Sequence, residues 1–215
     1  MQKPDYQKQL DAILKRLEQS DHTPTLLLHA CCAPCSSYVL EYLSARFAIT
    51  LFYYNPNIHP QAEYERRLAE LQAFLPQFPP AVQHSVKLVV ADYDPEDYFA
   101  HTNARAEPAL QDEPEKGERC RRCYAFRMKK AWEYARAHQF DWFTTTLSIS
   151  PHKDAEKINA IGHALTAADD RFSAPAPRFF PANFKKKGGF LRSTELSAEY
   201  GLWRQDYCGC VYSQR

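Results

Sequence analysis

Four short apolar runs, at residues 25–29, 47–54, 86–91 and 140–148, are each followed in turn by segments of helical character. Strands that alternate with helices have few ways to bury both faces of the sheet they form. The economical solution is a parallel sheet with helices on both sides. Helices are expected at 6–18, where Tyr6, Leu10, Ile13, Leu14 and Leu17 recur at helical spacing, and at 61–75, 121–138, 153–168 and 192–200. Another follows the first strand, with Ser36 as its expected cap; Ser193 or Thr194 is expected to cap the last helix, and Gly201 to end it. Asn55-Pro56-Asn57 stops the second strand, and Asp92-Tyr93-Asp94-Pro95 marks the exit of the third. Residues 102–119 are polar and irregular, and residues 174–181, with three prolines, read as a connection. The expected organisation is one α/β domain over 1–215, with an N-terminal helix within 1–24 and a helical lid insertion at 95–139.

The first strand runs into Cys31, Cys32 and Cys35, at the strand-to-helix junction where open α/β sheets hold their ligands. Two more groups follow, Cys120-x-x-Cys123 at the start of an expected helix and Cys208-Gly209-Cys210 near the C-terminus. The two-residue gap lets two thiolates face one metal, and a helix N-terminus favours thiolate over thiol. A lone cysteine is commonly core filler. Seven cysteines are more than one tetrahedral site needs, and three remain for a second metal with an open position. Sulfur-rich sites select zinc or iron–sulfur clusters. A structural zinc knuckle normally staples a small loop-rich module rather than a strand-end crevice, so the pattern favours a reactive iron–sulfur site. Two alternatives fit part of the pattern. One is a thiol–disulfide oxidoreductase using Cys32 and Cys35, which leaves four cysteines idle. The other is a zinc-stapled binding module with no chemistry.

Composition narrows the classes. The chain has 27 basic and 26 acidic residues, for a net charge of +1, so nucleic acid cannot be held by bulk charge and needs local clusters. No apolar run approaches the roughly 20 residues of a membrane span. The polar N-terminus does not resemble a secretory signal. A cytoplasmic protein with no membrane partner is expected, and in a reducing cytosol cysteines point to metal or catalysis rather than disulfides. No GxGxxG or GxxxxGK[ST] motif supports a nucleotide cofactor.

Five motifs occur in order across residues 26–212: HACCAPCSS, YYNPNIHPQAEYERR, ERCRRCYAFRM, TTTLSISPHKD and KKKGGFLRSTELSAEYGLWRQDYCGC. Together they resemble the cobalamin-independent epoxyqueuosine reductases, the QueH family. The resemblance implies reduction of the epoxide of epoxyqueuosine at the wobble position of tRNA. It implies a Rossmann-like fold of the adenine-nucleotide α-hydrolase (HUP-like) kind, with cysteines at the strand C-terminal edge where those enzymes hold ATP. It also implies a 4Fe-4S cluster beside an additional iron ion. Some members carry aspartate where this chain has Cys35.

Opening an epoxide and discarding its oxygen takes two electrons and two protons. On this reading Cys32, Cys120, Cys123 and Cys208 are expected to hold the cluster, with Cys31, Cys35 and Cys210 facing the second metal. Cys35, Asp92 and His152 are the candidate catalytic residues; Asp92 also reads as a turn residue and His152 as a surface one. Lys153 and Asp154 would share the crevice, Asp206 could support Cys208, and His29 reads as a core histidine. Arg119, Arg121, Arg122, Arg127, Lys129 and Lys130 form one basic cluster, and Lys185, Lys186, Lys187 and Arg192, interleaved with Phe184 and Phe190, form another. Both are candidates to grip tRNA, through phosphate contacts and base stacking. Glu63, Tyr64 and Arg66 read as substrate contacts or as an ordinary helix surface. The implied partners are tRNA carrying epoxyqueuosine and a ferredoxin- or flavodoxin-like electron donor.

Overall fold

The structure, a computed structural model, describes residues 4–167 and 176–214. In chain order the elements are α1 (Tyr6–Leu17), β1 (Thr25–Ala30), α2 (Ala33–Leu43), β2 (Ala48–Tyr53), α3 (Gln61–Phe74), α4 (Pro79–Gln83), β3 (Lys87–Val90), α5 (Pro95–Thr102), α6 (Pro108–Gln111), α7 (Glu118–Ala137), β4 (Trp142–Thr145), α8 (Ala155–Ala167), β5 (Arg178–Phe179) and α9 (Gly189–Glu199). Among the described residues the strands form one parallel sheet in the order β3-β2-β1-β4-β5. The expected α/β class is the observed one.

Both faces of the sheet are covered, as the apolar runs require. Leu26, Leu28 and Ala30 of β1 join a core with Leu40 of α2, Leu71 of α3 and Leu196 of α9. Leu27 faces the other way, toward Phe126 and Ala131 of α7 and Ile158 of α8. The helix after β1 thus lies on one face and the helix after β4 on the other. The carboxyl ends of these neighbouring strands therefore diverge into a crevice, the topological switch point of an open sheet. At the opposite end, Asp141 accepts from the backbone and hydroxyl of Thr25 (2.8 and 2.9 Å), which ties the starts of β4 and β1.

Several elements depart from the sequence expectation for identifiable reasons. β5 lies inside the stretch read as a connection: Arg178 N donates to Asp141 O and Phe180 N to Phe143 O, both at 2.9 Å. Two residues between prolines are too few to show a period. The expected end of the fourth helix at Ala168, and residues 174–175 of the connection, lie outside the described residues. α5 follows Asp94, whose carboxylate caps the amides of Glu96 and Asp97 (3.0 and 3.1 Å). α7 begins at Glu118, before the expected start, so Cys120 and Cys123 occupy its first two turns. It lies against β1, β4 and α8, so the second half of the 95–139 segment is a sheet-covering helix.

Two caps also move. Cys32 is the cap of α2, and the Ser36 hydroxyl donates to its carbonyl (2.8 Å). α9 starts at Gly189 behind Gly188, whose φ of 75° suits glycine, and the hydroxyls of Ser193 and Thr194 donate to Phe190 O instead of capping. A Cβ on Gly189 would collide with the Phe184 carbonyl and the Tyr38 ring, so this glycine lets α9 approach α2.

Phe47 is 1% exposed and meets Phe180 edge-on at 5.4 Å, far from the crevice. Phe47→Ala should destabilise the fold by about 3–5 kcal/mol, read as a lowered urea midpoint with an unchanged slope.

Candidate metal centre

β1 delivers Cys31 to the mouth of the switch point, and α2 begins immediately after, with Cys32 at its cap and Cys35 in its first turn. The three sulfurs lie within 4.8 Å of one another. Cys31 Sγ is 3.7 Å from Cys32 Sγ and 3.8 Å from the Thr146 hydroxyl at the end of β4. A tetrahedral ion with metal–sulfur bonds of about 2.3 Å has a sulfur–sulfur edge of about 3.8 Å. The triad therefore has the spacing of a site for one ion. Hydrogen bonds from the Cys32 and Cys35 thiols hold Cys31 well below the usual thiol range. The same contacts push Cys32 up to about 12 and Cys35 well above its ordinary value. Three thiols sharing a thiolate this way are ready to exchange protons for a cation.

The other four cysteines form a second group. Cys120, Cys123, Cys208 and Cys210 line one small cavity beneath the triad's cleft. Among the described residues no three of them come within 4.8 Å of one another, so they are spread more widely than ligands of a single ion. All seven cysteines are free. Hydrogen bonding from Cys210 holds Cys208 well below the thiol range, with burial opposing and Lys153 assisting, and Cys210 is pushed well above it. Burial and the neighbouring Cys123 push Cys120 up to about 11.

The CxC pair reaches this place on a segment with little regular structure, anchored by Arg67. The Arg67 guanidinium is 2% exposed, contacts Glu63 at 2.5 Å and donates to the carbonyls of Tyr207 and Cys208, both at 3.3 Å. His59 N donates to Gly209 O (2.8 Å), and the Tyr207 hydroxyl to His59 O (2.6 Å). Gly209 has a φ of 98°, and a Cβ there would lie 2.8 Å from Ile58 and 3.0 Å from Arg67. Glycine is required by conformation as well as by space.

Positive charge lies beside the sulfurs with no carboxylate partner among the described residues. Arg127 is 2% exposed; it donates to Asn55 Oδ1, and its other terminal nitrogen lies 4.0 Å from Cys123 Sγ. Asn55 in turn donates to Ala30 O (2.9 Å), linking α7 to the end of β1. Lys153 lines both cavities; burial pulls its ammonium down, but the charges on Cys208, Cys31 and Cys35 outweigh this and raise it. Around the four-cysteine cavity, Tyr98 Oη, Arg119 Nε, Arg127 Nε and Asn57 Oδ1 are buried with no hydrogen-bond partner. The cations and the idle donors of Tyr98, Arg119 and Arg127 fit an anionic thiolate-held metal group; Asn57 Oδ1 is an acceptor and takes no part in this fit.

Above the sulfurs opens a cleft of about 430 Å³, within the roughly 300–1,000 Å³ of ligand sites. Cys31, Cys35, Cys208 and Lys153 lie in it, and Phe190, Arg204, Tyr207, Tyr212, Glu115 and His152 also line it. His152 is at the mouth: its side chain is 74% exposed and 3.6 Å from Glu115. Asp92 lies exposed beyond edge strand β3 and lines neither cavity. Asp154 caps α8 through the amides of Glu156 and Lys157 (2.9 and 3.2 Å). Asp206 lines the cleft. His29 is a core histidine, bonded to Thr145 and the Tyr54 carbonyl (2.8 and 3.1 Å) and pushed down to about 3 by burial.

The basic clusters are largely occupied elsewhere. Arg119 is 2% exposed and donates to Leu110 O and Gln111 O (2.6 and 2.8 Å). Arg121 pairs with Glu118, and Arg122 with Glu107 and Glu118. Lys129 pairs with Glu133 and Lys130 with Asp97. Lys185 donates to Lys153 O (3.0 Å), while Lys186, Lys187 and Arg192 pair with Asp5, Asp11 and Glu41. Apart from Arg119, none of the ten arginines and lysines expected to contact tRNA lines the cleft. Phe184 is buried in the core. Tyr64 is also buried, and Arg66 stacks on Trp203 at 3.6 Å. Sequence reasoning missed Arg67, Arg204 and Tyr98; only the YERR and YCGC motifs hinted at the first two regions.

The model of the family described as Epoxyqueuosine reductase QueH matches residues 26–215. A protein of that name from Streptococcus pyogenes serotype M1 is 39% identical over 214 residues, which cover 100% of this chain and 80% of the relative. One from Haemophilus influenzae is 40% identical over 205 residues, covering 94% and 77%. One from Thermotoga maritima is 33% identical over 190 residues, covering 88% and 90%.

Arg67→Gln should strip the C-terminal segment of its anchor and leave Glu63 buried without a cation, at a cost of about 3–5 kcal/mol. In the metal-free variant, alkylation of Cys208 and Cys210 followed by mass spectrometry should accelerate at least about tenfold through local opening, with Cys32 remaining protected.

Proposed function

Since the chain belongs to the epoxyqueuosine reductase QueH family, we propose that it reduces the epoxide of epoxyqueuosine in the wobble position of tRNA to the alkene of queuosine. The balance is two electrons and two protons in, and one water out. The observation that carries this reading is the convergence of seven free cysteines, the buried Arg127 and the half-buried Lys153 at the base of a ligand-sized cleft.

The sulfur geometry supports Cys120, Cys123, Cys208 and Cys210 as ligands of a 4Fe-4S cluster and Cys31, Cys32 and Cys35 as ligands of the additional iron. Relative to the partition expected from the sequence, Cys32 and Cys210 exchange places. When bound, the cluster would supply single electrons and the iron a Lewis-acidic position for an oxygen. Three thiolate ligands leave a fourth position of a tetrahedral ion open. Lys153 Nζ lies between the two sulfur groups, where it offsets their negative charge and can hold a proton above the floor of the cleft. His152 at the mouth is placed to pass protons from solvent. Electrons must come from a separate carrier, for which a ferredoxin- or flavodoxin-like protein remains the proposed class.

The thiol–disulfide alternative fits poorly. Its attacking thiol, Cys32, is 0% exposed and pushed up to about 12 by its hydrogen bond with Cys31. A redox dithiol needs an accessible, acidic first cysteine.

For tRNA, the rim replaces the paired lysines as the proposed grip. Phe190 is 36% exposed in the cleft wall, and Arg204 lies 5.3 Å over its ring with no carboxylate partner among the described residues. The guanidinium is steadied by Ser193 O and the Ser197 hydroxyl (3.3 and 3.1 Å), and a ring with such a cation beside it suits an unstacked anticodon-loop base and its phosphate.

Anaerobically isolated protein should be brown, absorb near ~400 nm and carry about five iron and four sulfide per chain. Cys210→Ser should abolish labile sulfide and colour. Cys32→Ser should keep the sulfide and lose about one iron; the reverse pattern restores the sequence-based partition, and colourless zinc protein defeats the reading. Phe190→Ala should raise KM for tRNA about tenfold, as loss of one base stack would, with kcat little changed in steady-state assays.

A further inference from the structure

Tyr98 stands on α5 with its side chain 1% exposed. Among the described residues its hydroxyl has no nitrogen or oxygen partner; its neighbour is the Cys123 sulfur, in the cavity ringed by Cys120, Cys123, Cys208 and Cys210. A thiol sulfur is a weak acceptor, so the buried hydroxyl recovers little of what it loses on leaving water. The ring does not need the hydroxyl to stay in place. It meets Phe99 at 5.3 Å and Phe126 at 6.2 Å, both edge-on, and its backbone carbonyl accepts from the Thr102 hydroxyl at 2.9 Å. A phenol ordinarily gives up its proton only near pH ~10, so at neutral pH the hydroxyl is a donor.

We propose that the Tyr98 hydroxyl donates a hydrogen bond to the metal–sulfur group held by these four cysteines and thereby raises its reduction potential. The inference rests on the assignment of a cluster to that cavity. A reduced cluster carries one more negative charge than the oxidised form, so a fixed donor binds it more strongly and stabilises it. Arg119 and Arg127 favour the reduced form through their charge, but both also hold parts of the fold: Arg119 the carbonyls of Leu110 and Gln111, Arg127 the amide of Asn55. Tyr98 is the uncharged donor, and loss of its oxygen changes neither net charge nor ring packing. The tyrosine would therefore set how strong a reductant the electron carrier must be, without touching substrate.

The test is Tyr98→Phe. Wild type and variant are loaded anaerobically, assayed for iron and sulfide, and titrated redox-wise with detection of the reduced cluster by electron paramagnetic resonance. That signal reports loaded chains alone, so a lower loading does not mask a shift. The expected result is a more negative potential in the variant, with shifted iron–sulfur stretching bands in resonance Raman spectra. An unchanged potential overturns the role of Tyr98 and leaves the cluster assignment standing. Wild-type protein without iron and sulfide removes the cluster assignment and this inference with it.

Discussion

A cation stays inside a protein only if negative charge stays with it, because desolvating an unpaired ion costs several kcal/mol. Among the described residues, the buried Arg127 and the half-buried Lys153 meet this condition without a carboxylate: sulfur is their counter-charge. The consequence runs both ways. The cations make thiolates cheap to form in an apolar crevice, and the thiolates keep the cations folded inward. Arg127 also holds Asn55, which holds the last carbonyl of β1, so one guanidinium joins the sheet, the exit of β2 and helix α7. Filling the site with a metal–sulfur group of net negative charge would satisfy these charges and the idle donors around the lower cavity at once.

The architecture explains why the sulfurs lie where they do. Helices leaving β1 and β4 toward opposite faces open a crevice at the carboxyl end of the sheet. In many folds of this kind a glycine-rich loop cradles phosphate there. Here the corresponding junction carries Cys31, Cys32 and Cys35, whose side chains fill the space a phosphate would need. The C-terminal segment then closes over the crevice, tied down by Arg67 and the backbone bond from His59 to Gly209. It brings two further sulfurs and, with Arg204 and Tyr207, part of the cleft wall. The sulfur groups and the cleft thus share a border, as the proposed reduction requires.

Much of this was legible before any coordinates. The alternation of apolar runs and helical spacing implied the parallel sheet, and the strand-end position of the first cysteine group implied its place at the ligand crevice. Other features were not legible. β5 is too short to carry a periodic signal, and α5 was foreseen only as an unbounded part of the helical insertion at 95–139. The arginines and lysines read as a nucleic-acid surface because a cluster in one dimension does not reveal its partners; Glu118, Glu107, Asp5, Asp11 and Glu41 reach most of them from other turns or elements. Asp92 shares an edge with the cysteines in topology but stands at the far strand of that edge. Tyr98 had no signal at all, since nothing in a sequence marks a hydroxyl that will be left without a partner.

By itself, the sequence determined the α/β class, the three thiol groups and, through five ordered motifs, the family. The tertiary structure alone decided which sulfurs stand together. Cys32 is separated from Cys31 by one peptide bond, whereas Cys120 and Cys210 reach the same cavity from opposite ends of a long chain segment. Metal binding depends on distance through space, and strand-to-helix geometry, a glycine at positive φ and a buried arginine set that distance.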